Sequence, residues 1–133
     1  MGYMSKVAFM AVFANAEQHD EVMAVYRMKP EVQEHKIEAT WRRVDRSDGV
    51  VVRVYEASNV KWYDSYSDVQ AVEYLGELLE MFFEERGFEY AWGNVRIGEN
   101  TDDTVETVHA PQGSLDEVIY ATMRLVRSIE IDI

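Results

Sequence analysis

The chain has 133 residues and a mass of 15.5 kDa, the size of one domain. Apolar residues make up 47% and charged residues 29%, which excludes a disordered composition. Twenty-five Asp and Glu against 13 Lys and Arg give a formal charge of −12. That balance argues against specific or nonspecific nucleic-acid binding and against docking on anionic membranes, both of which run on Lys and Arg. The absence of cysteine rules out disulfides, thiolate zinc sites, iron–sulfur clusters and Cys nucleophiles.

The first notable segment, Val7–Phe13, is apolar on every side and suits either a central strand or a buried helix. With Ala14 it forms the longest apolar run, eight residues, against the ~20 needed to span a bilayer. A basic n-region and a small-residue cleavage site are missing, so no signal peptide or transmembrane segment is read and a soluble protein is expected. If Val7–Phe13 is a strand, Asn15 caps a helix from Ala16 to about Lys29, with Gln18 completing a capping box. If it is a helix, Val22–Tyr26 becomes the first strand.

Lys36–Val44 alternates, with Ile37, Ala39 and Trp41 on one face and Glu38, Thr40 and Arg42 on the other. Asp45–Gly49 is turn chemistry, and the β-branched run Val50–Ala57 returns as the second strand of a hairpin. A long helix is predicted over residues 68–86. Ser67 and Gln70 open it, Arg86 and Gly87 close it, and Val69, Val72, Leu75, Leu79 and Phe82 make its apolar stripe. Glu73, Glu77, Glu80, Glu84 and Glu85 lie mostly off that stripe. Residues 88–97 read as a strand carrying Tyr90, Trp92, Val95 and Ile97. Toward the end, Ser114 and Glu117 resemble a capping box, yet residues 119–133 alternate apolar and polar. Period two fits the whole segment and favours a closing strand over about 118–133. Together these elements predict an α+β fold, a single-domain sandwich over residues 1–133 with a mainly antiparallel sheet, one long helix (68–86) and a second helix near the N-terminus.

No catalytic signature is present. His19, His35 and His109 are scattered, fit no HxH or HExxH spacing, and read as three exposed histidines. The glycines form neither GxGxxG nor a P-loop, and there is no GxSxG elbow. No metal, cofactor or catalytic residue is assigned, and a non-enzymatic role is the expectation. The cluster Lys61, Trp62, Tyr63 and Tyr66 sits between a strand and a helix, where large rings suit a partner interface. A second concentration, Glu99, Asp102, Asp103 and Glu106, lacks the ligand spacing of an EF-hand and reads as a solvated acidic loop. Arg42, Arg43, Arg46 and Arg53 gather around the hairpin, where pairing with carboxylates is their ordinary role.

With the C-terminal segment as a strand, the order becomes an N-terminal element, Val22–Arg27, the hairpin 36–44 and 50–57, the helix 68–86, and strands 88–97 and 118–133. That order resembles the tail-terminator (tail-completion) proteins of long-tailed bacteriophages. In them a strand like Val50–Tyr55 runs into one long helix, and a strand like Ser128–Ile133 closes the chain. The resemblance covers roughly residues 22–133 and implies a homo-oligomeric ring, commonly a hexamer, between head and tail tube. Its partners would be other copies and neighbouring structural proteins, and its location the virion or the host cytoplasm. Six copies would carry about −72 formal charges, which suits a lumen that repels DNA. Glu99, Asp102, Asp103 and Glu106 would then line the lumen or rim, and the 61–66 aromatics would meet neighbouring subunits. The strand-first alternative gives β-α-β-β-α-β, a ferredoxin-like unit that hosts small-molecule sites or enzymes, with Glu56, Tyr63 and Tyr66 as candidate polar groups. A third reading is an acidic inhibitor that mimics nucleic acid.

Overall fold

The computed structural model describes residues 5–60, 67–97, 104–109 and 115. The aromatic segment 61–66, acidic residues 98–103 and the segment from 116 onward, including the closing-strand reading of 118–133, lie outside the described residues.

The apolar run at the N-terminus is a central strand. β1 (Ser5–Phe13) lies between β3 (Val51–Val60) and β4 (Tyr90–Ile97), with β2 (Arg42–Asp45) and β5 (Thr104–His109) outside them. The strand order is β2-β3-β1-β4-β5, and every neighbouring pair is antiparallel. From Val7 to Phe13 β1 is apolar at every position because both sheet faces are buried around it. Val7, Phe9, Ala11 and Phe13 join the core under the helices. Ala8, Met10 and Val12 join a second core on the opposite face with Val52, Val54, Ala91, Val95 and Leu115.

The helices follow from local chemistry. Asn15 caps α1 (Ala16–Tyr26) by accepting a hydrogen bond from the Gln18 backbone N–H at 2.9 Å. The capping box is half made, because Gln18 Oε1 has no hydrogen-bond partner. α1 stops at Tyr26 and falls short of Lys29. The residue before a proline is pushed to extended backbone, and Lys29 (ψ 127°) obeys before Pro30 opens α2 (Pro30–Glu34). α4 (Ser67–Arg86) buries Val69, Val72, Leu75, Leu79 and Phe82 as their spacing predicts. It ends at Gly87, whose φ of +70° makes it the left-handed C′ residue and whose N–H reaches the Phe83 carbonyl at 2.9 Å.

Two elements differ from the sequence expectation. Residues 37–40 form a helical turn, α3 (Ile37–Thr40), and only Arg42–Asp45 is strand. Ile37 and Trp41 are both buried while Ala39, assigned to their face by period two, is exposed. A four-residue spacing satisfies the two large side chains as well as alternation does, and Thr40 Oγ1 donates to the Ile37 carbonyl at 2.6 Å to close the turn. The second difference is β5, where Thr104–Glu106 belongs to a strand that sequence reading gave to the acidic loop. Thr104, Val105, Thr107 and Val108 are β-branched, which suits a strand, and the segment pairs with β4 from Ile97 to Trp92.

The connections make two interleaved crossovers. β1 runs through α1–α3 to β2 with β3 lying between the two strands, and β3 runs through α4 to β4 with β1 between. The first four strands therefore have the split β-α-β, ferredoxin-like arrangement, to which β5 adds a fifth strand beside β4. The α+β class holds, with the strand-first order. Val22–Tyr26 lies in α1 and is not a strand.

Candidate functional site

α4 packs on β1 and β4, and on the β4 side of the helix the sheet opens into a cleft of about 380 Å³. Phe9, Tyr90, Trp92 and Asn94 form its floor, and Glu73, Gly76, Glu77 and Glu80 of α4 form its wall. Positions 73, 76, 77 and 80 follow helical spacing, so they share one face of α4. Gly76 is what lets the indole reach that wall. A Cβ there would sit 2.7 Å from Trp92 Cε2 and 3.0 Å from Nε1. The indole is braced from below by Phe9, centroids 5.6 Å apart, and by Trp41 at 6.0 Å. Burial, reinforced by Glu80 and Glu84, pushes the Tyr90 phenol up to about 12, so it stays neutral.

Among the described residues the lining holds three carboxylates and three aromatic rings and no basic side chain. Such a surface attracts a cation twice, by Coulomb attraction to the carboxylates and by the quadrupole of a ring. The same helix shows this chemistry a short distance away. In an adjoining depression of about 290 Å³, which shares Glu73 and Glu77, Lys29 Nζ stands 4.4 Å from the Tyr74 ring centroid and 3.9 Å from Glu31 Oε2.

A second polar constellation lies inside the molecule. His19 is 2% exposed, a correction to the expectation of three exposed histidines. It shares a helix face with Val22, Met23 and Tyr26, all buried. Arg53 Nε donates to His19 Nε2 at 3.0 Å, which places the imidazole proton on Nδ1, where it is donated to Asp20 Oδ1 at 2.8 Å. Burial lowers the His19 pKa, the Asp20 hydrogen bond opposing it in part. The same hydrogen bond holds the Asp20 carboxyl below its usual range. Arg53 Nη1 continues the chain to the Trp41 carbonyl at 2.7 Å. Trp41 Nε1 donates to Tyr26 Oη at 3.1 Å, and that hydroxyl donates to the Ala71 carbonyl at 2.8 Å. Burial raises the Tyr26 pKa, so it remains a hydroxyl. Five side chains thus tie α1, β3 and the start of β2 to α4.

No known protein family, curated protein or solved structure matches the chain.

The residues singled out from sequence are placed unevenly. Lys61, Trp62, Tyr63, Tyr66, Glu99, Asp102 and Asp103 lie outside the described residues, and Glu106 stands in β5 opposite Val95. Glu56 faces away from the cleft and meets Arg42 at 3.7 Å. Of the hairpin arginines, Arg42, Arg43 and Arg46 pair with Glu56, Asp45 and Asp48, the ordinary role expected of them. Arg53 departs by bonding an imidazole and a carbonyl. Among the described residues no group of three or more His, Asp or Glu is arranged to hold a metal, and no helix is long and apolar enough to cross a membrane. The cleft escaped sequence reading because its floor and wall come from three distant segments.

Proposed function

We propose that this chain is a non-enzymatic interaction protein that receives a cationic group of a protein partner, an Arg or Lys side chain, in the cleft over Trp92. The observation that carries this reading is the meeting of Glu73, Glu77 and Glu80 with the Trp92 indole around one concave space. The formal charge of −12 supports it from a distance, since a field of that sign draws basic partners in and speeds their encounter. A homo-oligomeric ring of the phage tail-terminator kind is the second reading. It is favoured by β3 running into the long α4, the order that the resemblance expects, while α1 occupies the place where that order counts a strand.

Calorimetric titration with a hexa-arginine peptide tests the first reading, comparing the wild type with E77Q/E80Q and with a charge-matched control, E34Q/E85Q. Loss of two partly solvated ion pairs, each worth about 0.5 kcal/mol, lowers affinity about fivefold in the first variant. The control keeps wild-type affinity. Equal weakening in both would show a diffuse charge effect and remove the cleft from the account. Native mass spectrometry decides the ring, with a stable hexamer supporting it and a monomer excluding it.

A further inference from the structure

His19 sits where α1 crosses the β2 edge of the sheet, sealed from water and committed at both nitrogens. Nδ1 gives its proton to Asp20 and Nε2 takes one from Arg53. Phe13 of β1 closes the ring from the side, with centroids 4.9 Å apart at 84°. The charged groups around it are Asp20 from α1, Arg53 from β3 and Arg43 from β2, the last 3.9 Å from Asp20. Behind Arg53 stand Arg27, Glu38 of α3 and Asp45 of β2, with Arg27 and Glu38 already paired at 2.9 Å.

A second proton on this imidazole has no acceptor. It would sit on Nε2, which faces the N–H of a guanidinium 3.0 Å away, with a second guanidinium nearby and Asp20 as the one adjacent carboxylate among the described residues. A donor facing a donor in a buried site costs both the hydrogen bond and the desolvation of the new charge. We infer that His19 is an acid-released latch: protonation parts it from Arg53 and opens the corner formed by α1, β2 and β3, while the β1–β4 half of the sheet stays closed. The corner is the weak part of the fold. β2 has four residues, all exposed, and lies at the edge of the sheet among the described strands. The Arg53 bond to the Trp41 carbonyl anchors the residue immediately before β2.

The sign follows from the geometry. The folded state holds His19 neutral, whereas the unfolded chain releases it to an ordinary value of about 6.5. Stabilisation from the latch is therefore complete above that value and is lost as the pH falls below it. Ordinary carboxyl groups titrate about two pH units below an ordinary imidazole, so mild acidification to about pH 5 reads mainly the histidines.

The test combines imidazole nitrogen NMR with amide hydrogen exchange at about pH 7.5 and about pH 5, corrected for intrinsic exchange rates. The expected spectrum shows the Nδ1–H form above a midpoint lying below 6.5. Amides of Arg42–Asp45 lose protection about tenfold or more on acidification while those pairing β1 with β4 keep theirs. H19Q offers Arg53 an acceptor and Asp20 a donor without a titrating group, and its β2 amides keep their protection at the lower pH. An Nε2–H tautomer, a midpoint at or above 6.5, a uniform loss across the sheet, or acid loss in H19Q equal to the wild type would each overturn the latch. Should H19Q fail to fold, the tautomer, midpoint and regional pattern of the wild type decide the matter alone.

Discussion

Gly76→Ala separates two opposed effects of known size. In the middle of an exposed helix, alanine is favoured over glycine by about 0.8–1 kcal/mol. Gly76 has ordinary helical backbone, so no conformational strain opposes the change. What opposes it is Trp92. The added methyl would lie 2.7, 3.0 and 3.1 Å from three indole atoms, all inside normal carbon contact. The indole cannot simply retreat, because Phe9 and Trp41 brace it at 5.6 and 6.0 Å. Overpacking of this kind costs about 1–3 kcal/mol. Setting that against the helix gain leaves G76A less stable by about 1 kcal/mol, or roughly 3–5 °C in Tm for a chain of this length. Thermal and urea unfolding of G76A, W92L and the double variant form a cycle. With Trp92 trimmed to leucine the clash is gone, and G76A should now stabilise by its full helix gain. The sign of the glycine effect thus reverses with the partner. If G76A stabilises both backgrounds equally, the indole does not rest on α4 and the cleft has another floor.

Further outcomes follow from the buried polar chain and the helix cap. Y26F leaves the Trp41 indole N–H without its acceptor inside the core and removes the donor to the Ala71 carbonyl, costing about 1–3 kcal/mol in urea unfolding; a loss below about 0.5 kcal/mol would mean that water substitutes there. N15A deletes the side-chain acceptor for the Gln18 N–H and lowers stability by about 1 kcal/mol, with glycine at the same position costing only a few tenths.

The parts of the fold written in local chemistry were legible. The α4 stripe and its Gly87 terminus, the Asn15 cap and the 45–49 turn each rest on residues adjacent in the chain. Val7–Phe13 was ambiguous for a physical reason: a strand buried on both faces loses the alternation that distinguishes it from a buried helix. Ile37 and Trp41 misled because positions four apart fit both periods, and the wrong one placed Ala39 in the core. β5 was hidden behind the charges that precede it. His19 was readable in principle, since it shares one helix face with Val22, Met23 and Tyr26, but its partner Arg53 is 34 residues away in sequence. The cleft was the least accessible feature. Trp92 read as a strand residue and Glu77 as a residue off the apolar stripe of the helix, and only the α4–β4 packing makes them neighbours.

The most direct test of the central claim is an NMR titration of the tryptophan indole N–H signals with hexa-arginine peptide. The chain has three tryptophans, at positions 41, 62 and 92, and they report independently. The Trp92 signal should shift in a saturable way that E77Q/E80Q weakens, while that of Trp41, buried beneath it, stays in place. A titration in which Trp92 does not move, or in which binding leaves E77Q/E80Q and the wild type indistinguishable, would contradict the proposed site.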